Sequence, residues 1–153
     1  MKKYLPLLIS FGIAFGIAFL GSLVTTPAIG DWYYLLNKPF FSPPNWVFGP
    51  AWTVLFALMA TSAYLVWRKQ KKVGTPLKIY GIQLFLNFLW SYLFFGIRRP
   101  DLALLEIFFL WFFIFLTIKK FYKVDKLAGY LLLPYILWVS FATLLNLSIV
   151  SLN

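Results

Sequence analysis

The chain has 153 residues, 62% of them hydrophobic and only 12% charged, where an ordinary soluble domain carries about a quarter charged residues; this excludes disorder and a water-soluble globule. It has no cysteine, no histidine and four acids, Asp31, Asp101, Glu106 and Asp125, which excludes a disulfide framework, thiolate or imidazole catalysis, a Cys/His zinc site and axial haem ligation by those residues. The net charge of +10 does not point to nucleic acid, because the 14 basic residues sit in short clusters between long uncharged runs rather than along one face of a soluble fold.

A membrane span needs about 20 mostly apolar residues, and the clusters delimit five such runs. The first lies between Lys3 and Asp31 and predicts a helix over 5–26. Its apolar stretch exceeds the signal-peptide core of about 7–15 residues, so it reads as an uncleaved span. Gly12 and Gly16 form a GxxxG within it, which reads either as a dimer seam or as close packing inside one bundle.

The segment that follows, 31–50, holds seven aromatics (Trp32, Tyr33, Tyr34, Phe40, Phe41, Trp46 and Phe48) and four prolines (Pro39, Pro43, Pro44 and Pro50). Proline restricts the backbone and stops helices. The expectation is a rigid apolar lid over the mouth of the bundle. An interfacial aromatic belt would explain the rings but not the prolines.

The second span, 47–67, carries Trp52, Phe56, Met59 and Ala63 on one face. The third, 78–97, carries Gln83, Asn87 and Ser91 at i, i+4 and i+8, a single helical stripe with Trp90 beside it. The fourth, 102–120, begins after Asp101, read as its N-terminal cap. Glu106 lies one turn further on and is given a structural role, neutral or bonded to Arg98 or Arg99. The fifth, 127–150, carries Trp138, Ala142, Leu145 and Asn146 on one face. Amides facing lipid are unfavourable, so the three stripes are expected to look inward on a cavity. Aromatic walls with a few amides suit a flat apolar ligand with polar edges. The fold class is therefore an all-α membrane protein: one five-helix domain, 1–153, with the first loop as a lid. No room remains for a soluble domain, and the runs lack the alternation of barrel strands.

Three blocks carry a family resemblance. They are Trp32-Tyr33 with Lys38-Pro39 and Pro43-Pro44-Asn45-Trp46-Val47-Phe48-Gly49-Pro50-Ala51-Trp52; Gln83 to Ser91 with Asn87 and Trp90; and Pro134-Tyr135 with Trp138, Ala142, Thr143 and Asn146. Together the chain resembles, over essentially its whole length, the tryptophan-rich sensory protein/translocator protein family. The resemblance implies a membrane receptor or regulator, usually a homodimer, that binds porphyrins and benzodiazepine-type drugs under the first loop. It implies a ligand site of Tyr33, Pro43, Trp52, Phe56, Asn87, Trp90, Ser91, Trp138 and Ala142. It also raises an enzyme-like alternative, light- and oxygen-dependent porphyrin breakdown, with Trp52 and Trp138 as the oxidisable, catalytic side chains, and a third reading as a porphyrin or lipid/sterol transporter. No cofactor is required; porphyrin is ligand or substrate, its metal absent or unligated because the chain has no histidine or cysteine. Two positions depart from the pattern. Phe41 stands where a tryptophan is common, and the end of the last span lacks the Tyr and Arg that animal members offer to sterol. The implied partners are membrane lipid and a small molecule, not nucleic acid, and the implied setting is a prokaryotic cell membrane.

Orientation follows from the loops. Eleven basic residues fall on the N-terminal side of the five spans and three (Lys38, Arg98 and Arg99) on the other, so the positive-inside rule places the N-terminus in the cytoplasm and residue 153 outside. In intact cells an impermeant thiol reagent should label Asn153→Cys and not Lys72→Cys; the reverse pattern would overturn the orientation.

Overall fold

The computed structural model describes residues 2–153. Five helices are long and apolar enough to cross a membrane: Leu5–Asp31, Asn45–Gln70, Thr75–Gly96, Pro100–Val124 and Lys126–Leu152. We label the α-helical elements α1 (Leu5–Asp31), α2 (Phe48–Gln70), α3 (Thr75–Ser91), α4 (Pro100–Val124), α5 (Lys126–Leu131) and α6 (Leu133–Leu152). No strand occurs among the described residues.

The helices run past the expected limits, for local reasons. α1 continues through Pro27 to Asp31. A proline removes one backbone donor, and the packing of Ala28, 2% exposed, holds the next turn in place. α2 ends at Lys71, whose φ of 58° is left-handed and whose N–H reaches the Trp67 carbonyl at 2.7 Å. Pro76 and Pro100 open α3 and α4, where a proline forfeits no helical bond. At the far end of α3 the chain widens into a π-turn over Tyr92–Gly96.

Asp101 does not cap α4. Arg99 is the N-cap residue, and the Asp101 carboxylate is held side-on by Arg99 Nε and Nη2 at 2.9 and 2.8 Å. The local two-residue spacing makes that pair easier to form than a cap. It holds the Arg99 guanidinium charged more firmly than usual.

α4 and α5 are separated by Asp125 alone. Its carboxylate accepts from the N–H groups of Leu127 (2.9 Å) and Ala128 (3.4 Å) and pairs with Lys69 at 3.5 Å. The fifth span is broken once more at Leu132, where Pro134 enters the first turn of α6.

α1 packs on α2, α2 on α5, α6 on α4, α4 on α3, and α3 returns to α1. Met59, Val66, Ile107, Ile114, Phe121, Tyr135 and Val139 fill the centre. Polar links at membrane depth are satisfied across helices: Ser10 Oγ donates to Ala60 O at 2.7 Å, and Ser62 Oγ to Ala128 O at 2.5 Å. Gly12 and Gly16 meet no neighbouring atom, so close packing within this bundle is not their role.

Gly129 sets how closely α5 lies on α4. A Cβ there would stand 2.7 Å from Tyr122 Cβ and 3.0 Å from its Cα, and backbone cannot move aside cheaply. Gly129→Ala should lower unfolding stability in detergent by about 1–3 kcal/mol; a thermal melt beside the unaltered protein checks this.

Candidate ligand cavity

Toward the ends that carry the first loop, four spans enclose a cavity of about 490 Å³, within the usual range of about 300–1,000 Å³ for ligand pockets. α2 supplies Trp52 and Phe56. α3 and its π-turn supply Asn87, Trp90, Ser91, Phe94 and Phe95. α6 supplies Trp138, Ala142 and Asn146. α4 and α5 contribute none of the lining residues. The cavity thus gathers Tyr33, Trp52, Phe56, Asn87, Trp90, Ser91, Trp138 and Ala142, eight of the nine residues expected from sequence.

Pro43 is not among them. Extended backbone at Pro44 leads into a 3-10 turn at Asn45–Val47, and that turn presents Asn45, with Phe48 after it, to the cavity. The reading also missed the α1 wall: Gly21, Ser22, Thr25 and Thr26. The signal was present, since Ser22, Thr25 and Thr26 recur at i, i+3 and i+4 and share a face.

The aromatic walls stand edge to face. Trp52 and Trp138 meet at 6.3 Å and 84°, and Phe48 meets Trp138 at 6.0 Å and 74°. Such offset contacts suit the ring quadrupole. Opposite them Trp90 stacks on Phe94 at 5.1 Å.

The amides face inward, as expected, and are bonded across helices. Asn87 Nδ2 donates to the Tyr135 hydroxyl at 2.8 Å, and that hydroxyl donates to Gln83 Oε1 at 2.7 Å. Trp90 Nε1 donates to Asn146 Oδ1 at 3.0 Å, and Asn146 Nδ2 to the Pro100 carbonyl at 2.9 Å. Both asparagines therefore tie helices together while lining the cavity. The Trp52 and Trp138 indoles have no protein acceptor among the described residues.

The first loop is a lid in part. Tyr33, 5% exposed, packs on Phe94 and Phe95 at 6.1 and 5.6 Å, and Lys38 Nζ lies 4.7 Å from the centre of its ring. Burial pushes the Tyr33 hydroxyl above the ordinary phenol range, and a hydrogen bond with Ser42 offsets part of this. Phe40 and Trp46 point outward, 100% and 74% exposed. Reciprocal hydrogen bonds fasten the loop to α6. Asn37 N–H donates to Asn153 Oδ1 at 3.1 Å, and Asn153 Nδ2 donates to Asn37 O at 2.9 Å.

Glu106 has neither expected partner. Arg98 pairs with Asp31 at 3.8 Å and Arg99 with Asp101 at 2.8 Å. Glu106 is 7% exposed and its carboxyl oxygens make no hydrogen bond.

Comparison with known proteins places the geometry in context. The family model described as the TspO/MBR family matches residues 9–152. The chain is 43% identical to the tryptophan-rich protein TspO of Chlorobaculum tepidum, covering 99% of this chain and 98% of that one. It is 43% identical to the protein of the same name from Archaeoglobus fulgidus, covering 97% of each. It is 40% identical to the human translocator protein, covering 75% of this chain and 70% of the human one.

The Asn87–Tyr135–Gln83 chain makes a measurable claim. Asn87→Leu and Tyr135→Phe should each lower unfolding stability by about 1–2 kcal/mol. The double variant should lose less than the sum, because the two changes remove the same bond; strict additivity in a double-mutant cycle would dissolve the link.

Proposed function

The chain belongs to the TspO/MBR family and is an integral, multi-pass membrane protein; from that premise, which supports a sensory or receptor role, we propose that the cavity binds tetrapyrroles of the porphyrin type and benzodiazepine-type drugs. The observation that carries the reading is the pairing of flat aromatic walls with two unspent indole donors, at Trp52 and Trp138, beneath a partly buried loop. A planar ring system lies against the rings, and its carboxylates or carbonyls accept from the indoles. No metal ligation is needed for either contact.

The cavity borders α1, α2, α3 and α6, so occupancy changes how four of the five spans meet. Tyr33 brings the lid into the same surface. A ligand beneath it adds contact to one lid position and not to others, which is what a receptor needs to shift a population. The open faces of Gly12 and Gly16 support a homodimer through α1. The basic asymmetry and the bacterial and archaeal relatives support a prokaryotic cell membrane with the N-terminus in the cytoplasm.

A second reading is favoured by one feature. Trp52 and Trp138 are in ring contact with one another and both border the cavity, so light absorbed by a bound porphyrin in the presence of dioxygen would meet two oxidisable side chains there.

Purified protein titrated in the dark with a protoporphyrin-type ligand should show saturable quenching of tryptophan fluorescence. The Trp52→Phe/Trp138→Phe variant should bind roughly tenfold more weakly, the scale of one or two lost hydrogen bonds. Residues 31–46 should gain hydrogen-exchange protection on binding. Equal affinity in the variant and unchanged exchange would remove the cavity as the site. Illumination then separates the readings: porphyrin loss in the unaltered protein but not in the variant marks the enzyme, and stable porphyrin in both marks the receptor.

A further inference from the structure

Glu106 is the only acidic residue among the buried side chains of the described residues. It shares a face of α4 with the buried Ala103, Ile107 and Leu110. α4 packs on α3 and α6, which contribute Asn87, Trp90, Ala142 and Asn146 to the cavity wall, while α4 itself supplies no lining residue. The carboxyl therefore stands behind that wall, shut off from solvent, with both oxygens unbonded.

The neighbouring elements offer no counter-charge. Arg98 and Arg99, just before α4, are engaged with Asp31 and Asp101. α3 presents Tyr80, but its ring lies on Phe121, four turns further along α4. The π-turn holds Tyr92, 43% exposed. On α2 and α5 the titratable groups Tyr64, Arg68, Lys69, Lys126 and Tyr130 all belong to the opposite end of the bundle. α6 presents Tyr135, within electrostatic reach of Glu106 and already bonded to Asn87 and Gln83.

An ionised carboxylate in such a place is strongly unfavourable without a cation or several donors. The neutral acid needs far less, and acidic groups inside membrane spans mark proton or ligand chemistry. We infer that Glu106 is a proton-binding site of the bundle, and that its proton is linked to anion occupancy of the cavity across the α3–α6 wall. The step is simple: a proton from water adds to one carboxylate oxygen and is released to water when the group ionises. The linkage half rests on the cavity binding porphyrin carboxylates.

The sign follows from Coulomb's law. An anion in the cavity stands about one helix diameter, ~10 Å, from Glu106. It is repelled by the ionised form and not by the neutral one, so it favours the proton. Affinity for the anion then falls as rising pH removes the proton, by roughly tenfold at an effective dielectric of about 20. A neutral ligand of the same shape feels no such change.

The test uses the full chain in detergent or nanodiscs and the near-isosteric Glu106→Gln. Infrared spectra at neutral pH should contain a protonated-carboxyl C=O stretch that Glu106→Gln lacks. Binding of a dicarboxylate porphyrin should weaken with rising pH in the unaltered protein, that slope should vanish in Glu106→Gln, and the porphyrin dimethyl ester should bind with no slope in either. Absence of the carboxyl band at neutral pH overturns the proton site. The same pH slope in both proteins overturns the linkage. Failure of both porphyrins to bind at any pH overturns the porphyrin reading, and with it the linkage, and leaves the proton site to be decided by the band.

Discussion

The Tyr135 hydroxyl is the contact on which the cavity depends. It accepts from Asn87 and donates to Gln83, one turn apart on α3, and so binds α6 to α3 at a single depth. In hydrocarbon, apolar surface gives helices little reason to prefer one another over lipid, and polar contacts set the register. Outward of that point the two helices carry bulky rings facing inward, Trp90 and Trp138, which hold the walls apart. The hydrogen-bonded chain is thus a floor, and the volume above it follows from what stands on the floor.

The three tryptophans that line the cavity differ in where their N–H goes. Trp90 gives its own to Asn146, as Trp111 of α4 does to Ser140, which fixes ring orientation and stitches helices. Trp52 and Trp138 give theirs to no protein group among the described residues. The difference is chemical: within one residue type, some indoles are spent on the framework and those of Trp52 and Trp138 at the cavity are not. It also explains why counting tryptophans says little about the site, whereas tracing their donors says much.

Much of this was legible in the sequence. Charge clusters mark where a chain can leave hydrocarbon, so the five spans could be read from Lys3, Asp31, Arg68, Arg98 and Lys126 and their neighbours. Helical spacing identified which faces turn inward and so pointed to Trp52, Phe56, Asn87, Trp90, Ser91, Trp138 and Ala142, whereas Tyr33, and Pro43, which does not line the cavity, came from the family resemblance alone. Spacing does not say what a side chain bonds once inside. Asn87 and Asn146 were legible as inward-facing amides but not as the partners of Tyr135 and Trp90, which lie 48 and 56 residues away. For Glu106 the sequence left a neutral acid and an arginine pair both open, because no pattern reveals that Arg99 closes on Asp101 two residues along. The lid was legible as a rigid segment, yet its rings parted company, Tyr33 inward and Phe40 outward, because adjacent turns in an irregular segment face different media. The α1 wall escaped notice because serine and threonine in a span are usually satisfied by their own helix, as Ser22 is by Phe19 O at 2.7 Å.

The break at Leu132 gives the fifth span the mechanics of a lever. Its short arm, α5, is bolted down by the Asp125 cap, the Ser62 bond to Ala128 and the tight seat of Gly129 on Tyr122. The long arm, α6, runs 20 residues beyond that fulcrum, about 30 Å. A tilt of about 5° at the fulcrum displaces the far tip by about 2.6 Å over that length. Asn153 sits at the tip and grips Asn37, while Trp138 and Ala142 ride along the shaft. Through the Asn37–Asn153 bonds the α6 wall of the cavity and the first loop form one connected unit rather than two independent parts.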